Sequence, residues 1–169
     1  HLGYDEETGE RRITAGRDGW EHSHIPGSEF VDVANDLSGT DADYRFEFPG
    51  PDRFADAIER AGVSDDSTVI LYDRTNNMWA TRVWWLLRTY GFDNAGVLNG
   101  GWKAWTAEDR PVSSAVPETS RETFTPEFRT ELIADKSDVL AAIDDGATCL
   151  LNARRPSDHA GTGLVKDAR

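Results

Sequence analysis

Six residues after a short apolar run hold the most chemical information in this chain. Thr68-Val-Ile-Leu-Tyr72 is rich in β-branched and aromatic residues and reads as a buried strand. Asp73, Arg74, Thr75, Asn76, Asn77 and Met78 follow. A helical pattern of Ala80, Val83, Trp84, Leu87 and Tyr90 then runs until Gly91 ends it. A loop between a strand's carboxyl end and a helix start directs backbone N–H groups, at the positive end of a helix dipole, towards its centre. An anion or a thiolate belongs there. The residue that stands first is an acid, Asp73.

The other reactive side chains are few. Cys149 is the only cysteine, which rules out an internal disulfide and a multi-cysteine metal site. It lies in the apolar run Thr148-Cys-Leu-Leu-Asn152, so it is expected to be a buried structural thiol in a strand. His22 and His24 stand close together, but no carboxylate or cysteine completes a ligand set, which favours a turn-stabilising role over metal binding. A phosphatase using Asp73 as its nucleophile would want a second aspartate two residues on, where Thr75 stands. Trp84, Trp85, Trp102 and Trp105 sit at helical spacing beside aliphatic residues, as expected of core or interface positions rather than a stacking platform. Arg82 is expected either to pair with an acid across a domain boundary or to be solvated, and Arg154 follows a second strand end.

Around the loop, the chain must supply a scaffold. Ala95-Gly-Val-Leu98 reads as a second strand, Asn99-Gly-Gly101 as a strand-to-helix turn and Trp102 to Thr106 as a short helix. Together with the first strand and its helix this is a βαβ unit with parallel strands. Upstream, residues 1–19 read as an exposed loop or frayed start, and Phe30-Val-Asp-Val33 as a short strand. Pro51 opens a helix with Phe54, Ala57, Ile58 and Ala61 on its apolar stripe, closed by Gly62. Downstream, the Pro- and Ser/Thr-rich stretch from Pro111 to about Thr130 reads as a linker. Asp135 then caps a helix with Asp138 three residues on, burying Val139, Leu140, Ala142 and Ile143. The expected fold is α/β, with a central mostly parallel sheet and helices on both faces. Residues 1–112 form the first domain, 113–131 a linker and 132–169 the start of an incomplete second copy.

Thirty-one acidic residues against eighteen basic give a net charge of −13, and only Lys103, Lys136 and Lys166 among the cations are lysines. Such a chain is a poor ligand for nucleic acid or an anionic membrane. No run of apolar residues is long enough for a membrane span. A single cysteine fits a reducing cytoplasm. Acid spread along the whole chain suggests adaptation to high salt, where self-repulsion is screened. Raising NaCl from about 0.05 M to about 2 M should therefore raise the melting temperature by several degrees, since the screening length shrinks to a few ångström. A melting temperature that stays level or falls would remove the halophile reading.

Several of these segments, taken together and in order, resemble the rhodanese family. They are His24-Ile-Pro-Gly27, the strand ending Tyr72-Asp73, Arg82-Val-Trp-Trp85, and Val97-Leu-Asn-Gly-Gly-Trp102 followed by Trp105. More narrowly they resemble the first half of a tandem-domain thiosulfate sulfurtransferase, closely over residues 20–112 and more loosely over 132–160. The resemblance implies a three-layer rhodanese-like fold, no cofactor, thiosulfate as a small anionic sulfur donor in the full-length parent, and contact with the chain's own second domain. In active members a loop cysteine attacks the outer sulfur of thiosulfate, releases sulfite and holds a persulfide until an acceptor such as cyanide takes the sulfur. Here Trp20, Ser28 and Asn152 depart from the family's usual residues, and residues 1–19 offer no counterpart of its opening strand. Asp73 occupies the position of the cysteine. The resemblance therefore implies no catalytic residue in this chain and a pseudo-active loop of Asp73, Arg74, Thr75, Asn76, Asn77 and Met78, with Asp73 filling the amide cradle as a built-in substitute for the missing thiolate. A stand-alone binding module without chemistry is the alternative.

Overall fold

The chain divides into two units, His1–Thr130 and Glu131–Arg169. A computed structural model describes residues 2–4, 11–13, 16–40, 46–154, 156–160 and 162. In the first unit β1 (Leu2–Tyr4) and β2 (Arg11–Ile13) pair antiparallel, with Gly3 opposite Arg12. The sequence suggests only a loop here. A hairpin of three-residue strands has too few positions to show an alternating pattern, and backbone pairing defines it instead.

Helix α1 (Arg17–His22) leads into the His24 turn, and α2 (Pro51–Arg60) starts at its proline as expected. The expected strand at Phe30–Val33 is not one. Asp32 Oδ1 accepts hydrogen bonds from the backbone N–H of Ala34 (2.9 Å) and Asn35 (3.2 Å), bending the chain into a turn. Val31 and Val33 still pack against the core from this irregular segment. Strand β3 (Val69–Leu71), helix α3 (Met78–Thr89) and strand β4 (Ala95–Val97) form the expected βαβ unit, with β3 and β4 parallel and Ile70 opposite Gly96. Helix α4 (Gly101–Ala107) follows the glycine turn. The parallel sheet has two strands among the described residues.

Helices α2 and α3 meet the 111–130 stretch in one core of Leu37, Phe54, Ile58, Leu86, Leu87, Tyr90 and Phe124. Phe54 stacks on Tyr90 at 4.4 Å between ring centres and takes the edge of Phe124 at 5.8 Å. Of the four tryptophans expected at core or interface positions, Trp85 packs against this cluster from a partly buried position. The other three are also partly buried, and two of them satisfy the indole N–H on carbonyls: Trp84 on Ala95 (3.1 Å) and Trp105 on Pro111 (2.7 Å).

Residues 111–130 have no regular structure up to Thr130, yet they lie on the first unit along much of their length. Phe124 is buried, Glu127 N–H bonds to Tyr90 O, and Arg129 N–H bonds to Thr89 O. Arg121 pairs with Asp56 (3.0 Å) and Glu59 (2.5 Å) of α2.

In the second unit α5 (Lys136–Ala142) carries the expected capping box: Asp135 accepts from Ser137 and Asp138 N–H, and Asp138 accepts from Asp135 N–H. Helix α6 (Pro156–His159) follows. Two expectations fail here. Val139, Leu140 and Ile143, read as a buried face, are 42%, 57% and 62% exposed. Thr148–Asn152 forms no strand and Cys149 is exposed rather than buried. A strand exists only with a partner, and no described segment pairs with this run. No helix among the described residues is long and apolar enough to cross a membrane.

Candidate functional site

The loop from Asp73 to Met78 begins two residues beyond β3 and enters α3 through Asn77, whose backbone is left-handed (φ 64°). Asparagine tolerates that conformation better than most residues. The turn lets the next amides point back into the loop, and the Asp73 side chain collects them. Its Oδ1 accepts from the backbone N–H of Thr75 (2.7 Å) and Asn77 (3.0 Å) and from the Thr75 hydroxyl (2.9 Å). Its Oδ2 accepts from the N–H of Trp79 (2.9 Å) and Ala80 (3.2 Å), both in the first turn of α3. One carboxylate thus takes up the loop amides and part of the helix's unpaired N-terminal donors. Burial alone would raise its pKa. Hydrogen bonds from Thr75, Ala80 and Asn77 outweigh that and hold the carboxyl below its ordinary value of 3.8.

A carboxyl depressed in the folded state contributes stability above its unfolded pKa, and that contribution is lost as pH falls through the folded value. The protection factors of the Trp79 and Ala80 amides, intrinsic exchange rate over observed rate, should accordingly be high at neutral pH and drop as pH falls below about 3.8. Protection that is the same on both sides of that range would show that the carboxylate does not hold these amides.

The rest of the loop is braced from outside. Asn77 Nδ2 donates to Leu98 O (3.1 Å), and Trp102 N–H donates to Asp73 O (3.1 Å). Gly101 is the contact point: a Cβ there would lie 2.5 Å from Asn77 Oδ1 and 3.0 Å from Asp73 O, and its φ is 53°. The Asn99-Gly-Gly101 turn therefore supports the loop as well as starting α4. The sequence names Asn77 and this turn, but their mutual contact appears only in the fold.

The two neighbouring cations are otherwise engaged. Arg74 lies over the Trp102 ring at 4.2 Å and donates to Ser23 O and Oγ, tying the loop to the His24 turn. Arg82 donates to Phe46 O and Glu47 O and has no carboxylate partner among the described residues, so it is neither ion-paired nor simply solvated there. Its buried Nε carries no hydrogen bond among the described residues. Thr75, Asn76 and Met78 are exposed.

His24 is fully buried and stacked on Trp20 at 4.5 Å between ring centres. Its Nδ1 lies 2.7 Å from Trp20 O and its Nε2 3.1 Å from Ala115 O, while its backbone pairs with Ser113. Both ring nitrogens face carbonyl oxygens, so this histidine joins two segments of chain. Tyr72 OH, 2.8 Å from Ser28 Oγ and accepting from Ile25 N–H, ties the same turn to the end of β3. Cys149 has no hydrogen bond to its sulfur among the described residues and belongs to the other unit. Arg154 is exposed, and its N–H bonds to Asn152 Oδ1 (2.9 Å).

A strand, an amide-lined loop and a helix, joined to a second parallel strand and a glycine turn, define a rhodanese-type α/β domain. The chain belongs to the rhodanese family: residues 11–108 match the model of the rhodanese-like domain. A thiosulfate sulfurtransferase of Cricetulus griseus is 30% identical over 145 residues, which are 85% of this chain and 48% of that protein. A 3-mercaptopyruvate sulfurtransferase of Escherichia coli K12 is 32% identical over 133 residues, 79% of this chain and 47% of the relative. The crystal structure of the 3-mercaptopyruvate sulfurtransferase SseA from E. coli superposes with a TM-score of 0.81 at 29% identity, covering 92% of this chain and 58% of that one. The chain spans about half the length of the curated relatives it matches. It is a sulfurtransferase-related rhodanese domain, and the family is an enzyme class.

Proposed function

We propose that this chain is the non-catalytic first part of a tandem-domain thiosulfate sulfurtransferase. Residues 1–112 are the first rhodanese-like domain, 113–131 connect it to the next, and 132–169 begin the second copy. The parent enzyme transfers sulfane sulfur from thiosulfate through a cysteine persulfide carried by that second domain, in a reducing cytoplasm and without a cofactor. The first domain contributes shape and contact surface.

One observation carries this reading: the carboxylate of Asp73 accepts five hydrogen bonds in the loop where an active member carries its sulfur nucleophile. A carboxylate is a weak nucleophile towards sulfur, and here its lone pairs are committed to amides. Its negative charge also repels an approaching thiosulfate dianion from the same donors.

Cys149 is exposed and so demands a direct test, although no amide is aimed at its sulfur among the described residues. In a thiosulfate:cyanide assay the chain should form thiocyanate at the rate of a protein-free blank. Turnover well above the blank that disappears on Cys149→Ser would make Cys149 the nucleophile and end the non-catalytic reading.

A further inference from the structure

We propose that Asn99-Gly100 is a self-modifying site: the asparagine converts spontaneously to aspartate and isoaspartate, and the isoaspartyl form releases the turn that braces the Asp73 loop. Six asparagines occur in the chain. Five hold their side chains in hydrogen bonds, Asn94 for example on Ser67 O (2.9 Å) and Thr68 Oγ1 (2.8 Å). Asn99 is exposed, and its side chain carries no hydrogen bond among the described residues. It is also the only asparagine followed by glycine, which has no side chain to obstruct attack by its own nitrogen.

The main chain leaves that nitrogen free as well. Gly101 N–H closes the turn on Leu98 O (3.0 Å), with Gly100 at φ 76° and ψ −6°, as at the third residue of a type II turn. The Gly100 N–H takes no part in that bond; its residue is exposed, and the N–H has no hydrogen bond among the described residues. Nucleophile and electrophile thus stand on adjacent residues, both free of contacts that would hold them apart.

The Gly100 nitrogen attacks the side-chain carbonyl carbon of Asn99. A C–N bond forms, the Cγ–Nδ2 bond breaks, and ammonia leaves with the proton of the Gly100 amide. Water then opens the cyclic imide at one of its two carbonyls. Opening at the side-chain carbonyl gives aspartate; opening at the main-chain carbonyl gives isoaspartate, with the chain rerouted through Cβ and Cγ. One water is consumed and one ammonia released, so no oxidant or reductant is needed. Rerouting adds an atom to the main chain inside the Leu98–Gly101 turn. That turn presents the Leu98 O that holds Asn77 Nδ2 (3.1 Å), and it delivers Trp102 N–H to Asp73 O (3.1 Å). Gly101 has little room to shift, since even a Cβ there would lie 2.5 Å from Asn77 Oδ1.

The test is a time course of the unsubstituted chain at mildly alkaline pH, where the attacking nitrogen loses its proton more readily. The tryptic peptide Thr89–Lys103 contains both Asn94 and Asn99, so one peptide reports on the two. Fragment masses should place a one-dalton gain at Asn99, with the isoaspartyl and aspartyl peptides separating by chromatography. Asn94 should react at least about tenfold more slowly, because its amide must first leave two hydrogen bonds. In the isoaspartyl chain, hydrogen-exchange protection of the Trp102 amide should fall about tenfold. Asn99→Asp, which adds the charge without rerouting the chain, should keep that protection, and Asn99→Gln should stay unmodified throughout. An Asn99 that remains intact, or reacts no faster than Asn94, overturns the site. Isoaspartate at Asn99 with Trp102 protection unchanged, or an equal loss in Asn99→Asp, overturns its coupling to the loop.

Discussion

Replacing Asp73 by alanine should lower the unfolding free energy by about 2–3 kcal/mol. The substitution removes a single carboxylate, but it strips the acceptor from four backbone N–H groups and a hydroxyl. Charge-assisted hydrogen bonds are the stronger kind, and two of these stand in for the missing intrahelical partners of α3. The cost stays below the sum of five bonds because Thr75 and Asn76 are exposed and water can reach part of the loop. Asp73→Asn should fall between the two, since it keeps one acceptor oxygen but turns an NH2 group towards donors. Urea titration followed by tryptophan fluorescence measures both. A loss under about 0.5 kcal/mol for Asp73→Ala would show that the carboxylate is incidental to the loop.

The second large effect lies far from the loop in sequence. Phe124→Ala should cost about 3 kcal/mol. Phe124 is 4% exposed, meets Phe54 and Phe92 edge-on or tilted at 5.8 and 5.9 Å, and sits in a stretch whose composition suggests a tether. Its truncation leaves a cavity among rings that cannot readily collapse. Phe128 is the natural control: 49% exposed on the same stretch, it should cost less than about 1 kcal/mol when changed to alanine. Thermal melting of the two variants distinguishes them. Equal, small shifts would mean that the stretch hangs free of the first unit. The same stretch also holds Ala115 O against His24 and Arg121 against α2, so it serves the His24 turn as well as the core.

What could be read in advance follows from how local each signal is. The βαβ unit, the α2 helix with its Pro51 start and the Asp135 capping box all depend on residues within a few positions of one another. Hydrophobic period, caps and glycines carry that information directly. Asp73 was legible for the same reason, standing first in a strand-to-helix loop. Phe30–Val33 misled because its β-branched pattern competes with the Asp32 turn, and that competition is decided by side-chain hydrogen bonds. Cys149 misled in a different way: an apolar run looks buried, but burial needs a neighbour, and the described residues of its unit provide none.

The sequence by itself determined that an acid rather than a thiol heads the loop, that the loop opens a helix, and that the surface is strongly acidic; each is a property of residue type and near spacing. Tertiary structure alone decided that Leu98 and Trp102 would brace the loop, that Ala115 O would close on His24, and that Phe124 would pack against Phe54, seventy residues earlier in the same core. Those outcomes join segments far apart in the chain, and only the closing of the chain on itself places them within reach of one another.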